Sequence, residues 1–151
     1  MLNILAKKIH ESAVKQGFYD DTNKIIDAVS KTENINNKLF NIINDMFKSR
    51  HLLCASSELG EANEAIRKGL YAQKETYHKS LKQYSHHEET KKTFNPKLFE
   101  KYIKDSFEDE VADCMIWLLD LCERESIDIE WHINQKMKYN STREKRHGKQ
   151  Y

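Results

Sequence analysis

Glycine and proline are scarce in this chain, four and one among 151 residues. Folds built from many short strands need both at their tight turns, so a sandwich or barrel is disfavoured. Cysteine is scarce as well. Cys54, Cys114 and Cys122 are odd in number, show no CxxC spacing and fall in apolar helical patterns. They read as buried free thiols of a reducing compartment, not as a disulfide framework or a zinc site. No apolar run approaches the roughly 20 residues of a membrane span. Residues 1–18 carry Lys7, Lys8, His10, Glu11 and Lys15, which argues against a secretory leader and for a cytoplasmic location with no membrane partner. Net charge is nearly absent too. At +1 it removes any global attraction to nucleic acid, so no nucleic-acid partner is expected.

What the chain has instead is charge in quantity, 32% of residues, and long stretches without a breaker. Both favour helices, and the length suits a single domain covering 1–151 with a core of its own. Leu2, Leu5, Ile9 and Val14 set a short amphipathic helix that ends near Gly17. Ile25, Ile26 and Val29 begin a second pattern, which the Asn-rich stretch 32–37 breaks. Leu39, Phe40, Ile42, Ile43, Met46 and Phe47 open a long helix that runs toward Gly69. Residues 71–105 are rich in Lys, His, Tyr and Glu, hold Pro96, and read as a partly helical insertion or lid. The strongest helix follows over Phe107–Cys122, apolar nearly all round in its second half and therefore central. A last helix, led by Ile127, Ile129, Trp131, Ile133 and Met137, takes its cap from Ser126 or Asp128. The fold class is all-α, with about four to six helices.

Charge is distributed unevenly. Residues 105–130 hold ten acids and one base, a net of −9, whereas residues 136–151 hold six bases and one acid, a net of +5. Two solvated faces of opposite sign would give the same counts, but so would a site that holds cations and an anionic substrate. Spacing narrows the choice. Glu58 and Glu61 are three apart, as are Glu110 and Asp113, and residues three apart share one side of a helix. At about 100° per residue, Glu110 and Asp113 share a face with Cys114, Trp117 and Leu121 that is otherwise apolar. Glu58 borders a stripe of Leu52, Ala55, Leu59, Ala62 and Ile66, with Glu61 beside it and Cys54 and Ala65 as small neighbours. Acids at a buried seam must be neutralised by a proton, a base or a metal, and no base is interleaved on the later face. Hard oxygen donors without His or Cys select Mg²⁺, with Mn²⁺ as the alternative. One such pair is common on exposed helices; two, each beside an apolar seam, are more specific. Glu64 continues the series but rotates toward the polar side, and Glu108 and Asp109 suit a helix N-terminus. Trp117 and Trp131 read as core residues.

An ExxE pair, a variable connection, an ExxD pair and then the basic run Lys136-Met-Lys-Tyr-Asn140-Ser-Thr-Arg143 resemble the MazG-like all-α nucleoside triphosphate pyrophosphohydrolases, relatives of the dimeric dUTPases and dCTP pyrophosphatases. His147-Gly148-Lys149 and the stretch from Ala13 to Asp20 are similar to members of that group. The resemblance covers about residues 1–20, 50–70 and 106–151. It implies a MazG-like helical bundle whose core is completed by a second copy, as homodimer or homotetramer. It also implies Mg²⁺-dependent hydrolysis of a nucleoside or deoxynucleoside triphosphate to the monophosphate and pyrophosphate. Glu58, Glu61, Glu110 and Asp113 would then be the metal ligands. The chemistry of metal-assisted attack adds a carboxylate to orient the water, and Glu61 is assigned that role. Lys136, Asn140 and Arg143 would contact the phosphate or sugar of the nucleotide.

Two other classes fit parts of the sequence. A di-iron carboxylate bundle wants Glu-x-x-His on core helices, and Glu75–His78 and Glu144–His147 have that spacing, though in polar segments. His86-His87-Glu88-Glu89 reads as solvated surface. A non-catalytic helical module binding nucleic acid or a protein through its basic tail has no need of four acids at a seam.

Overall fold

Long breaker-free stretches become helices wherever one face can be buried, and that rule accounts for the architecture. The computed structural model describes residues 1–31, 37–86 and 93–143, and among these it holds seven helices and no strand. They are α1 (Leu2–Lys15), α2 (Asp20–Ser30), α3 (Asn37–Lys68), α4 (Lys74–His86), α5 (Pro96–Tyr102), α6 (Phe107–Arg124) and α7 (Ile129–Ser141). The all-α expectation holds. Its count rises to seven because the 71–105 insertion carries two short helices, α4 and α5. The break at 32–36, the His87–Glu89 run and the Glu144–His147 pair lie outside the described residues. So does the His147-Gly148-Lys149 ending.

The chain forms two compact units. The first joins Met1–Ser49 to Leu118–Tyr151, and the second is Arg50–Trp117. Helices α3 and α6 each supply residues to both.

In the first unit α1 and α7 pack together. The N-terminal amine meets Glu130, and Asn3 Nδ2 donates to Asp128 Oδ1 at 2.8 Å. Asp128 also caps α7, accepting from the Trp131 amide at 3.0 Å. Of the two caps allowed by the sequence it is therefore Asp128 that serves, and Ser126 takes a left-handed backbone (φ 54°) at the preceding turn. Gly17 closes α1 at φ 82°, a conformation only glycine adopts without strain. The core here is small: Ala6, Tyr19, Thr22, Leu119, Leu121 and Cys122 are buried. Buried among them is Asp120, only 4% exposed. Its Oδ2 accepts from the Tyr19 hydroxyl at 2.6 Å, and its Oδ1 lies 2.7 Å from His10 Nδ1. Burial first, and then the Asp120 carboxylate, push the Tyr19 hydroxyl well above its ordinary pKa. The Arg124 guanidinium lies over the rings of both Tyr19 and Phe47.

In the second unit α4 and α5 pack on each other, with Tyr77 buried. Asn95 caps α5 by accepting from the Leu98 amide at 3.2 Å, and Pro96 stands at the first helical position, where its missing N–H costs nothing. The segment leaving α3 is tied down by backbone bonds. Phe107 donates to Leu70 O (3.0 Å) and Gln73 to Tyr102 O (2.8 Å). Cys54 is half-buried, Cys114 and Cys122 are buried, and all three are free thiols.

Replacing Asp120 by Ala removes the acceptor of both the Tyr19 and His10 bonds, and the expected loss of stability is about 2–4 kcal/mol. Urea denaturation of the pair measures it. A loss below about 0.5 kcal/mol, the size of an ordinary surface change, would show that the network does not hold the first unit.

Candidate metal centre

The start of α6 is fixed by four bonds, three local and one from the segment that follows α3. Ser106 accepts at both ends of the cap, from the Asp109 amide at its Oγ (3.3 Å) and from the Glu110 amide at its carbonyl (3.0 Å). Asp105, in a left-handed conformation (φ 58°), donates its amide to Asp109 Oδ2 at 3.1 Å. Glu108 Oε2 accepts from the Ala72 amide at 2.9 Å. Glu108 and Asp109 are thus occupied by backbone donors at the helix N-terminus, where anions are favoured. Glu110 comes next and turns inward.

On α6 the face expected from helical phase is the buried one: Glu110 and Cys114 are buried, Asp113 and Trp117 half-buried and Leu121 buried. The all-round burial expected of its second half is confined to Leu119–Cys122, since Met115 and Ile116 remain exposed. On α3 the stripe differs from expectation. Ala55, Ala62 and Ala65 are buried with His51, whereas Leu52, Leu59 and Ile66 are 52%, 56% and 46% exposed. Hydrophobicity pointed to the leucines, but close approach around the acids selects small side chains. Glu58 consequently lies in the middle of the buried face and not at its border, with Cys54 and Ala55 a turn before it and Ala62 a turn after.

Side-chain oxygens of Glu58, Glu110 and Asp113 lie within 4.8 Å of one another. Three of the four expected ligands are therefore brought together, and no His or Cys joins them among the described residues. Glu61 is not in that set. Its side chain is exposed and accepts from Ser57 Oγ at 3.4 Å. Its charge still reaches the cluster, as the largest electrostatic influence on Glu110 after burial itself. Glu64 is engaged elsewhere, by Arg67 and, at 3.6 Å, by Lys68.

Like-charge crowding shows in the proton affinities. Glu110, 7% exposed, has its pKa raised from 4.5 to about 7, by burial first and then by the charges of Glu61, Asp109, Glu58 and Asp113. Asp113 is raised for the same reasons, burial ahead of Asp109, Glu58 and Glu61. Acids that repel one another in a partly dry site fit a divalent cation, which relieves the desolvation and the repulsion at once. All-oxygen donors match Mg²⁺ or Mn²⁺.

One partner of the cluster was not expected. Trp117 Nε1 donates to Glu58 Oε1 at 3.1 Å, and the edge of the buried His51 ring meets the indole with centroids 5.6 Å apart and planes at 81°. The sequence pattern makes Trp117 a core residue, and its spacing, four residues after Asp113 and seven after Glu110, puts it in phase with both.

The basic run belongs to the first unit. Lys136 Nζ lies 5.1 Å, and the Arg143 guanidinium 6.0 Å, from the centroid of the exposed Tyr139 ring. Asn140 Oδ1 is buried without a hydrogen-bond partner. Glu75 and His78, the described pair with di-iron spacing, are both exposed on α4. The first unit also contains a cavity of about 560 Å³ lined by Ile26, Asn41, Asn44, Lys48, Arg124 and Glu125 among others. No family model, no curated protein and no solved structure matches the chain.

A raised acid pKa favours folding at low pH. The contribution of Glu110 is fully present below 4.5, its unfolded value, and is lost as pH rises through about 7. Metal-free protein is therefore expected to melt at lower temperature at pH 8 than at pH 5. Glu110→Gln should flatten that slope and stabilise the pH 8 protein by on the order of 1–3 kcal/mol. Calorimetry in a chelator decides it: equal slopes for wild type and variant would mean Glu110 carries no such penalty.

Proposed function

We propose that the chain is a Mg²⁺-dependent, MazG-like pyrophosphohydrolase that converts a nucleoside or deoxynucleoside triphosphate to the monophosphate and pyrophosphate. The observation that carries the reading is the group of carboxylates Glu58, Glu110 and Asp113, with oxygens within 4.8 Å of one another. The resemblance in motif order and basic run supports it. When bound, Mg²⁺ (or Mn²⁺) neutralises polyphosphate charge and makes a coordinated water more acidic.

The rest falls to the protein's own side chains. Glu58, Glu110 and Asp113 hold the cation. Glu61, exposed and free of the three-way set, takes the role of orienting the attacking water and receiving its proton. That water's oxygen joins the α-phosphorus as the bond to the bridging oxygen breaks, and pyrophosphate leaves with the electron pair. Positioning and electrostatics carry such a reaction, and no covalent nucleophile is needed. Lys136 and Arg143 supply cations to the phosphates, Arg143 with the fork that suits bidentate contact, and Asn140 an amide to phosphate or sugar.

Among the described residues no helix is long and apolar enough to cross a membrane. The exposed apolar side chains of the second unit, among them Leu52, Leu53, Leu59, Ile66, Val111, Met115 and Ile116, are better explained by a second copy of the chain. A homodimer or homotetramer in the cytoplasm is the assembly we propose.

A screen of all nucleoside and deoxynucleoside triphosphates with Mg²⁺, read by pyrophosphate release, is expected to reveal at least one substrate. Glu58→Gln and Asp113→Asn should each cost more than about 100-fold in kcat, beyond the 10–100-fold typical of groups that only support a metal ligand. Folded wild-type protein that turns over none of them would end the enzymatic reading. Sedimentation equilibrium checks the assembly: wild type should sediment as a dimer or tetramer and Leu59→Glu as a smaller species, and a monomeric wild type would refute it.

A further inference from the structure

Glu58 belongs to a cluster whose members repel one another, and a glutamate side chain has several rotatable bonds with which to swing away. Something must hold it. Glu110 is held by its burial and Asp113 by its short side chain on the same face of α6, one turn on. Glu58 Oε1 accepts a hydrogen bond from Trp117 Nε1 at 3.1 Å. Indole N–H is a donor and nothing else, so it can engage the carboxylate only as acceptor. The carboxylate offers about four lone-pair sites; the indole uses one and leaves the others for a cation. The ring itself is braced. His51, buried one residue into the second unit, sets its edge against the indole at 81°, the geometry aromatic pairs favour. A half-buried tryptophan that needed only a hydrogen-bond partner had water available. Here its N–H goes to a cluster acid, from the same face of α6 that carries Glu110 and Asp113.

We propose that Trp117 is the positioning residue of the metal centre: its indole N–H fixes the Glu58 carboxylate in the orientation that completes the cluster with Glu110 and Asp113, and His51 fixes the indole. The inference rests on the metal-site reading above. Groups that hydrogen-bond to metal ligands set ligand orientation, and losing one weakens metal binding by about 10–100-fold. Placing the donor on α6 and its acceptor on α3 also links the two helices through a single bond that needs no metal. The cluster is thereby organised before the cation arrives.

The test is a double-mutant cycle on Mn²⁺ affinity, read by calorimetry and by the electron paramagnetic resonance of free Mn²⁺, on full-length protein whose folding is verified by circular dichroism. Trp117→Phe keeps the ring and the His51 edge contact but removes the N–H. It is expected to weaken Mn²⁺ binding about 10–100-fold in a wild-type background and less than twofold in a Glu58→Gln background. A residue that merely filled space would give the same small loss in both. In a Trp131→Phe background the emission of the remaining tryptophan should change on titration with Mn²⁺, because its hydrogen-bond partner is a ligand. Wild type that binds no Mn²⁺ overturns the metal-site reading and this inference with it. Wild type that binds tightly while Trp117→Phe binds within twofold of it overturns the inference alone. If Trp117→Phe weakens binding equally with and without Glu58, Trp117 does not act through that carboxylate and the inference is likewise overturned.

Discussion

A carboxylate withdrawn from water must find a proton, a cation or a set of donors, and Glu110 is given acids for neighbours. That constraint organises the second unit. The α6 N-terminus offers some relief, since a helix dipole favours negative charge by about 0.3–1 kcal/mol within its first turn. Glu110 stands at the edge of that range, and the amides nearest the end go to Ser106 while Glu108 and Asp109 take amides from Ala72 and Asp105. A pKa pushed to about 7 from 4.5 corresponds to roughly 3 kcal/mol against the charged form. Burial and repulsion win over the dipole. Two compensations are open to the protein, a shared proton near neutral pH or a divalent cation; one proton offsets a single charge, whereas one cation offsets two and can touch Glu58, Glu110 and Asp113 together.

That arrangement constrains the helix opposite. Leucines beside Glu58 would keep the acids of α6 away, and Ala55, Ala62 and Ala65 are what the chain buries there. Leu52, Leu59 and Ile66 are turned outward as a consequence. The exposed apolar stripe and the acidic cluster therefore have one origin. A face narrow enough to bring carboxylates from two helices within reach of a single ion cannot also bury the larger side chains of the same helix.

How much of this the sequence discloses depends on which property carries the information. Periodicity is additive along a helix and survives local noise, so α1, α3 and α6 emerge from it near their true ends, as does the inward face of α6; α7 instead runs on through the start of the basic run to Ser141. Caps are equally local: the sequence narrows the α7 cap to Ser126 or Asp128, and it is Asp128 that serves. The α3 face departs from the hydrophobic pattern because hydrophobicity ranks Leu above Ala, while the space between two acid-bearing helices ranks them the other way. Residues 71–105 read only as partly helical because α4 and α5 bury little besides Tyr77 among their described side chains, which leaves a weak apolar period. The Trp117–Glu58 bond joins residues 59 apart, and no pattern along one helix can reveal which acceptor an indole will choose.

Helix α6 also supplies its own control for the claim that a buried acid signals function. Asp120 is even less exposed than Glu110, 4% against 7%, and it is three turns further along the same helix. Its neighbours are the Tyr19 hydroxyl and the His10 ring, at 2.6 and 2.7 Å, groups able to donate to a carboxylate. A buried acid met by donors is a solved problem, and what it holds is structure: Tyr19 and His10 are fastened to α6 through it. Glu110, on the same helix, is met by Glu61, Asp109, Glu58 and Asp113. Burial is common to both, so burial cannot be the sign of a site. What separates them is whether the chain itself completes the neutralisation. For Asp120 it does. For Glu110 the neighbours named among the described residues add negative charge, which is the condition the proposed cation would meet.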